Sequence, residues 1–371
     1  MSSPLRNVVL SGGMQSASSG KVGAPIIVGR RMQRGAIAVM VALMLSVMMG
    51  LCALAVDLSY GFLVRNELQN AADAAALSGA GSLYRAGPAP DWGAASQAAT
   101  EAIELNKSTQ VALRDGVVEY GYWNLSGATD AVQAPPAIPG PGEVPAVMVT
   151  IAREEGQNGG PVELFFARIL GIRSVPVKAT AVAAVAPPGM VGSGVLFPLA
   201  VSACLYRTYW DSTAAPPSPK VDPLTGKPYV FRIGPDYSYA TCASGNWSSF
   251  GTDAGDVATM RSLLADKNPA LLKAGEAIWL QPAVDESVYA DADACSARGT
   301  KACETVIVPV VENVGGHAAD AITAFACLRI DLASAGGGSY VQASMKAGCV
   351  VPNSGGVGSE LGAYATPRLA R

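Results

Sequence analysis

The strongest apolar pattern in the chain lies near its N-terminus. Residues 36–56 contain no charged residue and no proline. A helix rises about 1.5 Å per residue, so this run reaches about 30 Å, the thickness of the hydrocarbon core of a bilayer. A cleaved signal peptide is the alternative, but it would have a shorter apolar core, of about 7–15 residues, closed by a small-residue cleavage site. We therefore predict an uncleaved transmembrane helix at residues 36–57.

The helical period continues beyond this run, but only one side of it stays apolar. Polar side chains fall on one face (Asn66, Asn70, Asp73), and small or apolar ones fall on another: Val64, Leu68, Ala71, Ala75 and Gly79. This spacing predicts that one amphipathic helix continues to residue 83. Small side chains let a second backbone approach closely. Either a partner subunit or a sheet of the same chain could cover this face, and the sequence leaves both open.

Downstream of the helix the pattern changes to short segments separated by turns. Helical periodicity predicts helices at residues 92–106, 162–172 and 254–265. Alternating and β-branched positions predict strands at residues 117–123, 146–152, 175–186, 229–233, 277–280, 305–311, 322–332 and 340–343. The glycine-rich stretch before Tyr340 predicts a hairpin turn between the last two strands.

A Pro- and Gly-rich stretch at residues 187–194 separates two folded parts. We therefore expect a flexible tail at residues 1–35, the transmembrane helix at 36–57, an α/β unit at 58–188 and a mainly β unit at 189–371. The predicted fold class is α+β. Met32 is a possible alternative start, because the patterned sequence begins there.

Charge indicates the orientation of the helix and excludes one class of ligand. The residues before the span include five basic side chains and no acidic one, namely Arg6, Lys21, Arg30, Arg31 and Arg34. The positive-inside rule then places the N-terminus in the cytosol and the remaining chain on the other side of the membrane. The whole chain has a net charge of -3. It therefore lacks the basic surplus with which proteins neutralise a nucleic-acid backbone, and we expect no nucleic-acid partner.

Six of the seven cysteines lie in the second unit: Cys204, Cys242, Cys295, Cys303, Cys327 and Cys349. Their spacing does not suit a zinc site, and an even set outside the cytosol predicts disulfides. The short loop between Cys295 and Cys303 makes these two the favoured pair. Sequence leaves fifteen pairings open. Order along the chain suggests Cys204 with Cys242 and Cys327 with Cys349.

No arrangement of residues in the sequence indicates an active site. His317 is the single histidine, with Asp320 as its nearest acidic neighbour in sequence, and we interpret it as a surface residue. Asp291 and Asp293 lack the oxygen-rich continuation of a calcium loop, and we interpret them as solvated loop charges. We therefore expect no catalytic, cofactor-binding or metal-binding residues, no cofactor and no small-molecule substrate.

A longer motif resembles a known family. Residues 34–80 are similar to the N-terminal signature of TadG-like proteins, which belong to the tight-adherence (Flp) pilus-assembly systems. The matching positions, in order, are Arg34, Gly35, Asp57, Leu68, Gln69, Asn70, Ala71, Ala72, Asp73, Ala74, Ala75, Ala76 and Leu77. Weaker similarity extends to about residue 330. The resemblance implies a pilin-like helix joined to exoplasmic domains.

The chain departs from related proteins at two places. Longer relatives carry a von Willebrand A domain with a metal-binding DxSxS loop. Asp57 and Ser59 superficially match that loop, but Gly61 stands at its third oxygen position and the segment continues the helix. Pilin-type peptidases typically require Glu at the fifth mature position, and counting from Gly35 that position is Met40. A permanent membrane helix is therefore expected.

The resemblance implies a role as well as a fold. It implies a non-enzymatic component of Flp pilus assembly in the bacterial inner membrane, a single-pass protein with periplasmic or extracellular domains. Its expected partners are the bilayer and other membrane subunits of the pilus-assembly machinery. A membrane-anchored adhesin or binding module is the alternative, and a tethered extracytoplasmic hydrolase is a further one.

Overall fold

The computed structural model describes residues 34–85, 87–127, 129–137, 139–140, 142–214, 216–239 and 241–370. Residues 1–33, where we expect a cytosolic tail and four of the five basic residues, lie outside this description. The chain divides into two compact units, Met1–Ala53 and Leu54–Arg371.

One helix of 47 residues, α1 (Arg34–Ala80), confirms the predicted long N-terminal helix. Its segment Ile37–Ala80 is long and apolar enough to cross a membrane, by length and composition. In the first unit, the side chains of residues 37–52 are exposed. The predicted end at residue 83 is three residues too late, because residues 81–84 form turns instead.

The remaining part of the first half combines a second helix with short and long strands. These elements are α2 (Trp92–Glu104), β1 (Lys107–Ser108), β2 (Val111–Ala112), β3 (Val117–Asn124), β4 (Glu143–Arg153), β5 (Val162–Glu163), a 3₁₀ helix (Ala167–Leu170), β6 (Ser174–Val175) and β7 (Val177–Ala184). The predicted helix at residues 162–172 is therefore wrong in its first half. There β5 pairs with β6, and only one 3₁₀ turn follows.

The second half consists mainly of strands. Its helices are α3 (Ala203–Tyr209), α4 (Val257–Asp266) and α5 (Glu286–Cys295). Its strands are β8 (Met190–Val191), β9 (Leu199–Ser202), β10 (Trp210–Asp211), β11 (Ser218–Pro219), β12 (Val230–Ile233), β13 (Ser238–Tyr239), β14 (Cys242–Ala243), β15 (Gly245–Phe250), β16 (Leu272–Lys273), β17 (Ala277–Gln281), β18 (Thr305–Val311), β19 (Ala319–Ser334), β20 (Tyr340–Met345), β21 (Cys349–Val351), β22 (Ser354–Gly355), β23 (Ala363–Ala365) and β24 (Arg368–Leu369). The α+β class is confirmed.

A four-stranded antiparallel sheet, in the order β24-β7-β4-β3, carries the part of α1 that belongs to the second unit. Side chains alternate between the two faces of a strand. On β4, Val147, Val149 and Ile151 face the core shared with α1, while Ala146 and Met148 lie in a smaller apolar cluster. The sheet is thus buried on both faces.

The helix face that packs on this sheet is the small-residue face. Among its buried residues are Val64, Leu68, Ala71, Ala72, Ala75 and Ala76. A Cβ added at Gly79 would lie 2.9 Å from the Ala95 oxygen and 3.0 Å from Ala99 Cβ, so the close approach of α2 requires glycine there. Of the two possibilities left open by the sequence, the protein's own sheet and α2 occupy this face.

Beyond this sheet, seven strands form a second one in the order β12-β20-β19-β17-β15-β9-β18. An additional pairing of β18 with β19 closes a ring of five strands, β19-β17-β15-β9-β18. The 16-residue β19 makes this possible, because its successive parts pair with β17, β18 and β20. Closure removes free edges, and β20 with β12 extends the ring on one side.

The end of the chain connects the two sheets. Strand β23 pairs with β21, and β24 then pairs with β7 in the sheet that carries α1. Between them, Tyr364 is buried in the core of α1, where its ring stacks on Tyr84 with centroids 4.1 Å apart. The boundary expected at residues 188–189 stays a prediction.

The buried alanine face supplies a direct test of this packing. We expect Ala75→Leu to lower the free energy of unfolding by about 1–3 kcal/mol, because Ala75 is fully buried and the extra atoms overpack the core. Ala74→Leu is the matched control, because Ala74 is the exposed neighbour on the same helix. Thermal unfolding in detergent, followed by circular dichroism, measures both. Equal stability of the two variants would contradict packing of Ala75 within the chain.

Candidate functional site

The carboxylate of Asp57 is the most strongly bonded acidic group at the start of the second unit. It belongs to α1 and is 4% exposed. Its Oδ1 accepts a hydrogen bond from the Phe165 amide at 2.8 Å, and its Oδ2 accepts from Phe166 at 3.0 Å and from Ala167 at 2.6 Å. One carboxylate therefore binds three consecutive backbone amides.

These amides lie at the start of the 3₁₀ helix Ala167–Leu170, where backbone N–H groups have no partner within the helix. A negative charge is stabilised at such a position by the amides and by the helix dipole. Phe166, the residue before the helix, makes no side-chain cap of its own. Asp57 supplies the cap from another helix and so ties this turn to α1.

The segment tied down by Asp57 is exposed and apolar. We call residues 165–172 the apolar loop. Its large apolar side chains are exposed by 44–85%: Phe165, Phe166, Ile169, Leu170 and Ile172. Phe165 also packs edge-on against Tyr60 of α1, with ring centroids 5.2 Å apart. The loop therefore combines a fixed backbone with outward apolar side chains.

A groove of about 980 Å³ lies beside the apolar loop. One wall is α1, with Leu58, Phe62 and Arg65, and the other includes Ile172 and Lys178. The groove is mostly apolar, with cationic side chains at its border. Such a surface suits an apolar occupant that carries negative charge.

The six downstream cysteines form three disulfides in the structure. Cys204 is joined to Cys242, Cys295 to Cys303 and Cys327 to Cys349, with Cα atoms 5.4, 5.1 and 6.2 Å apart. They connect α3 to β14, α5 to the segment before β18, and β19 to β21. Cys52 is free and exposed. All three bridges lie in the part of the chain that contains the five-stranded ring.

The structure corrects two interpretations of charged residues. His317 Nε2 lies 2.5 Å from an oxygen of Asp253, not of Asp320, whose carboxylate instead accepts from the backbone amides of Asn313 and Ala321. His317 is about half exposed, as a surface residue should be.

Asp291 and Asp293 lie on α5 and not in a loop. Arg261 Nε is 2.6 Å from Asp291, and Arg298 is 2.5 Å from Asp293. Asp293 also accepts a hydrogen bond from the Ala333 amide, which fixes α5 to β19. Among the residues that the structure describes, no group of three or more His, Cys, Asp or Glu side chains could hold a metal ion.

A second groove, of about 940 Å³, borders the point where the chain end meets the first sheet. Glu360 and Tyr364 line it, and the Tyr364 hydroxyl is hydrogen-bonded to the Glu360 carboxylate. Burial raises the pKa of the Glu360 carboxyl, and the hydrogen bond from Tyr364 acts in the opposite direction with the smaller effect.

Sequence reasoning missed the role of Asp57. The pattern marks it as the first charged residue after the apolar run, but its partners lie 108–110 residues later. The one available signal was a lone acid at the end of an apolar helix together with an apolar loop that contains no acid of its own.

Comparison with protein families gives two matches, both in the part of the chain that contains α1 and most of the four-stranded sheet. Residues 35–82 match the Flp pilus-assembly TadE/G-like family, and residues 78–183 match the Tad-like Flp pilus-assembly family. Comparisons with curated proteins and with solved structures give no match.

The fold defines the class first: an α+β protein whose N-terminal helix has membrane-spanning length and continues into a helix–sheet unit. The matches then define the family, and the chain belongs to the TadE/G-like proteins of Flp pilus assembly. This confirms the resemblance inferred from the sequence. The matched residues end at 183, so the similarity expected up to residue 330 stays a prediction.

Asp57 can be tested through the loop that it holds. We expect Asp57→Ala to release the apolar loop, because three amides lose their shared acceptor, and trypsin should then cleave faster after Arg168 and Arg173. Ser59→Ala is the control, because Ser59 bonds only within its own helix, to the Ala55 oxygen. Limited proteolysis of the full chain in detergent measures the rates. Unchanged cleavage in Asp57→Ala would contradict the clamp.

Glu360 predicts a pH dependence of stability. Its pKa is higher in the folded chain than its ordinary value of 4.5, so the folded state retains the proton to higher pH. Ionisation therefore lowers stability as the pH rises from about 4.5 through the folded-state pKa. Glu360→Gln should abolish this loss, so its melting temperature should rise relative to wild type with pH. Glu101→Gln, on the exposed face of α2, controls for the loss of one carboxyl. A constant difference would contradict the prediction.

Proposed function

We propose that this protein is a membrane-anchored, non-enzymatic component of the Flp pilus-assembly machinery. The observation that carries the proposal is the family match over residues 35–183, which includes α1 and three strands of its sheet. Over this range the chain has a long apolar helix, and the later part of the same helix is the core of a folded unit. This is the architecture of a part that joins a membrane to an assembly.

The proposed location is the bacterial inner membrane, with the N-terminus in the cytosol and the remainder of the chain in the periplasm. The apolar run supports the anchor, and the five basic residues before it support the orientation. The three disulfides agree with an oxidising compartment for the second unit.

The mechanical role follows from how α1 is held. Gln69 donates to the Thr180 oxygen of β7, and Glu67 accepts from the Thr109 amide at 2.7 Å. Together with Asp57 and the alanine face, these bonds join α1 to the sheet along several turns. In the second unit, α1 therefore moves with its sheet as one body.

The partners proposed are other membrane subunits of the same machinery. The alanine face of α1 is covered by the chain's own sheet, so such contacts use other surfaces. The exposed stripe of α1, which includes Leu63, Asn66, Asn70 and Ala74, is one such surface.

A deletion strain tests the function. We expect it to lack Flp fibres by electron microscopy and to adhere poorly to surfaces, and the wild-type chain should restore both. A His317→Ala chain should also restore both, because the proposed role needs no catalytic base. Normal fibres and normal adherence in the deletion strain would contradict the proposal, and normal fibres with lost adherence would indicate an adhesin. Alkaline phosphatase fused after Arg371 in this strain should be active if the orientation is correct.

A further inference from the structure

The apolar loop differs from other exposed apolar positions in the described part of the chain outside α1. Residues such as Leu105, Leu224 and Val357 are exposed one at a time. In the apolar loop, five large apolar side chains are exposed within eight consecutive residues. A contiguous patch of this kind is costly in water and marks a surface that something covers.

The position of the loop along α1 indicates what covers it. The apolar run ends at Val56, and Asp57 is the first charged residue after it. Asp57 binds the loop backbone directly, at 2.6–3.0 Å. If α1 crosses the bilayer, as the proposed function holds, the loop lies where the helix leaves the hydrocarbon core. The headgroup region is then the nearest apolar-to-polar boundary to the loop.

The residues around the loop have the chemistry of a membrane interface. Tyr60 and Phe165 form an aromatic pair at this level, and aromatic side chains concentrate at the boundary between headgroups and acyl chains. Four cationic side chains surround the loop: Arg65, Arg168, Arg173 and Lys178. Arg168 is paired with Glu163, and the other three are exposed. Exposed cations beside an apolar loop complement the phosphates of anionic lipids.

The loop is also shaped for this contact. Its 3₁₀ helix ends at Gly171, whose φ of 87° reverses the chain in a conformation that favours glycine. The Asp57 bonds satisfy three amides that would be unpaired in an apolar environment. A loop with its amides satisfied from inside the protein can approach lipid at lower cost than a free loop.

We propose that residues 165–172 insert into the outer leaflet of the bilayer that α1 crosses, at the boundary between headgroups and acyl chains. This inference rests on the proposed membrane anchor. It gives the folded unit a second contact with the same membrane, and so limits its rotation and tilt. The apolar side chains enter the leaflet, and the basic side chains remain among the lipid phosphates.

The experiment places a fluorescent probe in the loop. The full chain with Ile169→Trp is reconstituted into vesicles of phosphatidylethanolamine and phosphatidylglycerol, with or without bromine on the acyl chains. Ile169 is 85% exposed, so tryptophan there disturbs no packing. Leu224→Trp is the matched control, because Leu224 is 95% exposed in a turn of the second half. The parent chain gives the background of its five native tryptophans.

We expect brominated lipid to quench most of the added fluorescence of Ile169→Trp and to leave that of Leu224→Trp unchanged. The emission of Ile169→Trp should also shift to shorter wavelength than that of the control. Leu170→Trp is a second probe, should Ile169→Trp fail to fold, because Leu170 is 78% exposed.

Flotation of the same vesicles distinguishes the failure of this inference from the failure of the proposed anchor. A chain that floats with the vesicles but shows no quenching at either loop position overturns the inference and leaves the anchor intact. That result would indicate that a protein partner covers the loop. A chain that does not float overturns the anchor itself, and the inference with it.

Discussion

The close packing of α1 on the four-stranded sheet is the interaction on which the rest of the structure depends. Alanines and Gly79 bring the helix axis near the strands, and the sheet answers with small or β-branched residues such as Val149 and Ala181. A helix with large residues on this face would stand away from the sheet and from α2. The polar ties made by Asp57 and Gln69 require that short distance, because their side chains are short or bonded at both ends.

This packing also explains the division of labour along one helix. In its first part the apolar side chains are exposed on all sides, as a bilayer requires. In its second part a single stripe is buried and the opposite side is polar. Asp57 stands at the change from one pattern to the other. Its charge is acceptable when buried only because three amides surround it.

Local patterns predicted most of the elements, and long-range contacts explain the misses. The period of 3.6 residues located α1 and α2, and alternation located β3, β4 and β7 within a few residues. Helix α5 was missed because its alanines and acids have little apolar amplitude, and Arg261 and Arg298 supply the compensation from outside it. The pairing of β24 with β7 joins residues far apart in sequence, so no local pattern could have indicated it. The Asp57 cap was unpredictable for the same reason.

The chain returns to its starting sheet only at the end, and this has a consequence for biogenesis. Until β24 arrives, β7 has one unpaired edge, and Tyr84 lacks the ring that stacks on it. The sheet beside the membrane helix therefore cannot be completed while the five-stranded ring is still being exported. Exposed strand edges recruit foreign strands. A chain truncated after the family-matched region would thus leave the translocation machinery with an adhesive edge, and a chaperone that shields it would be most needed during that interval.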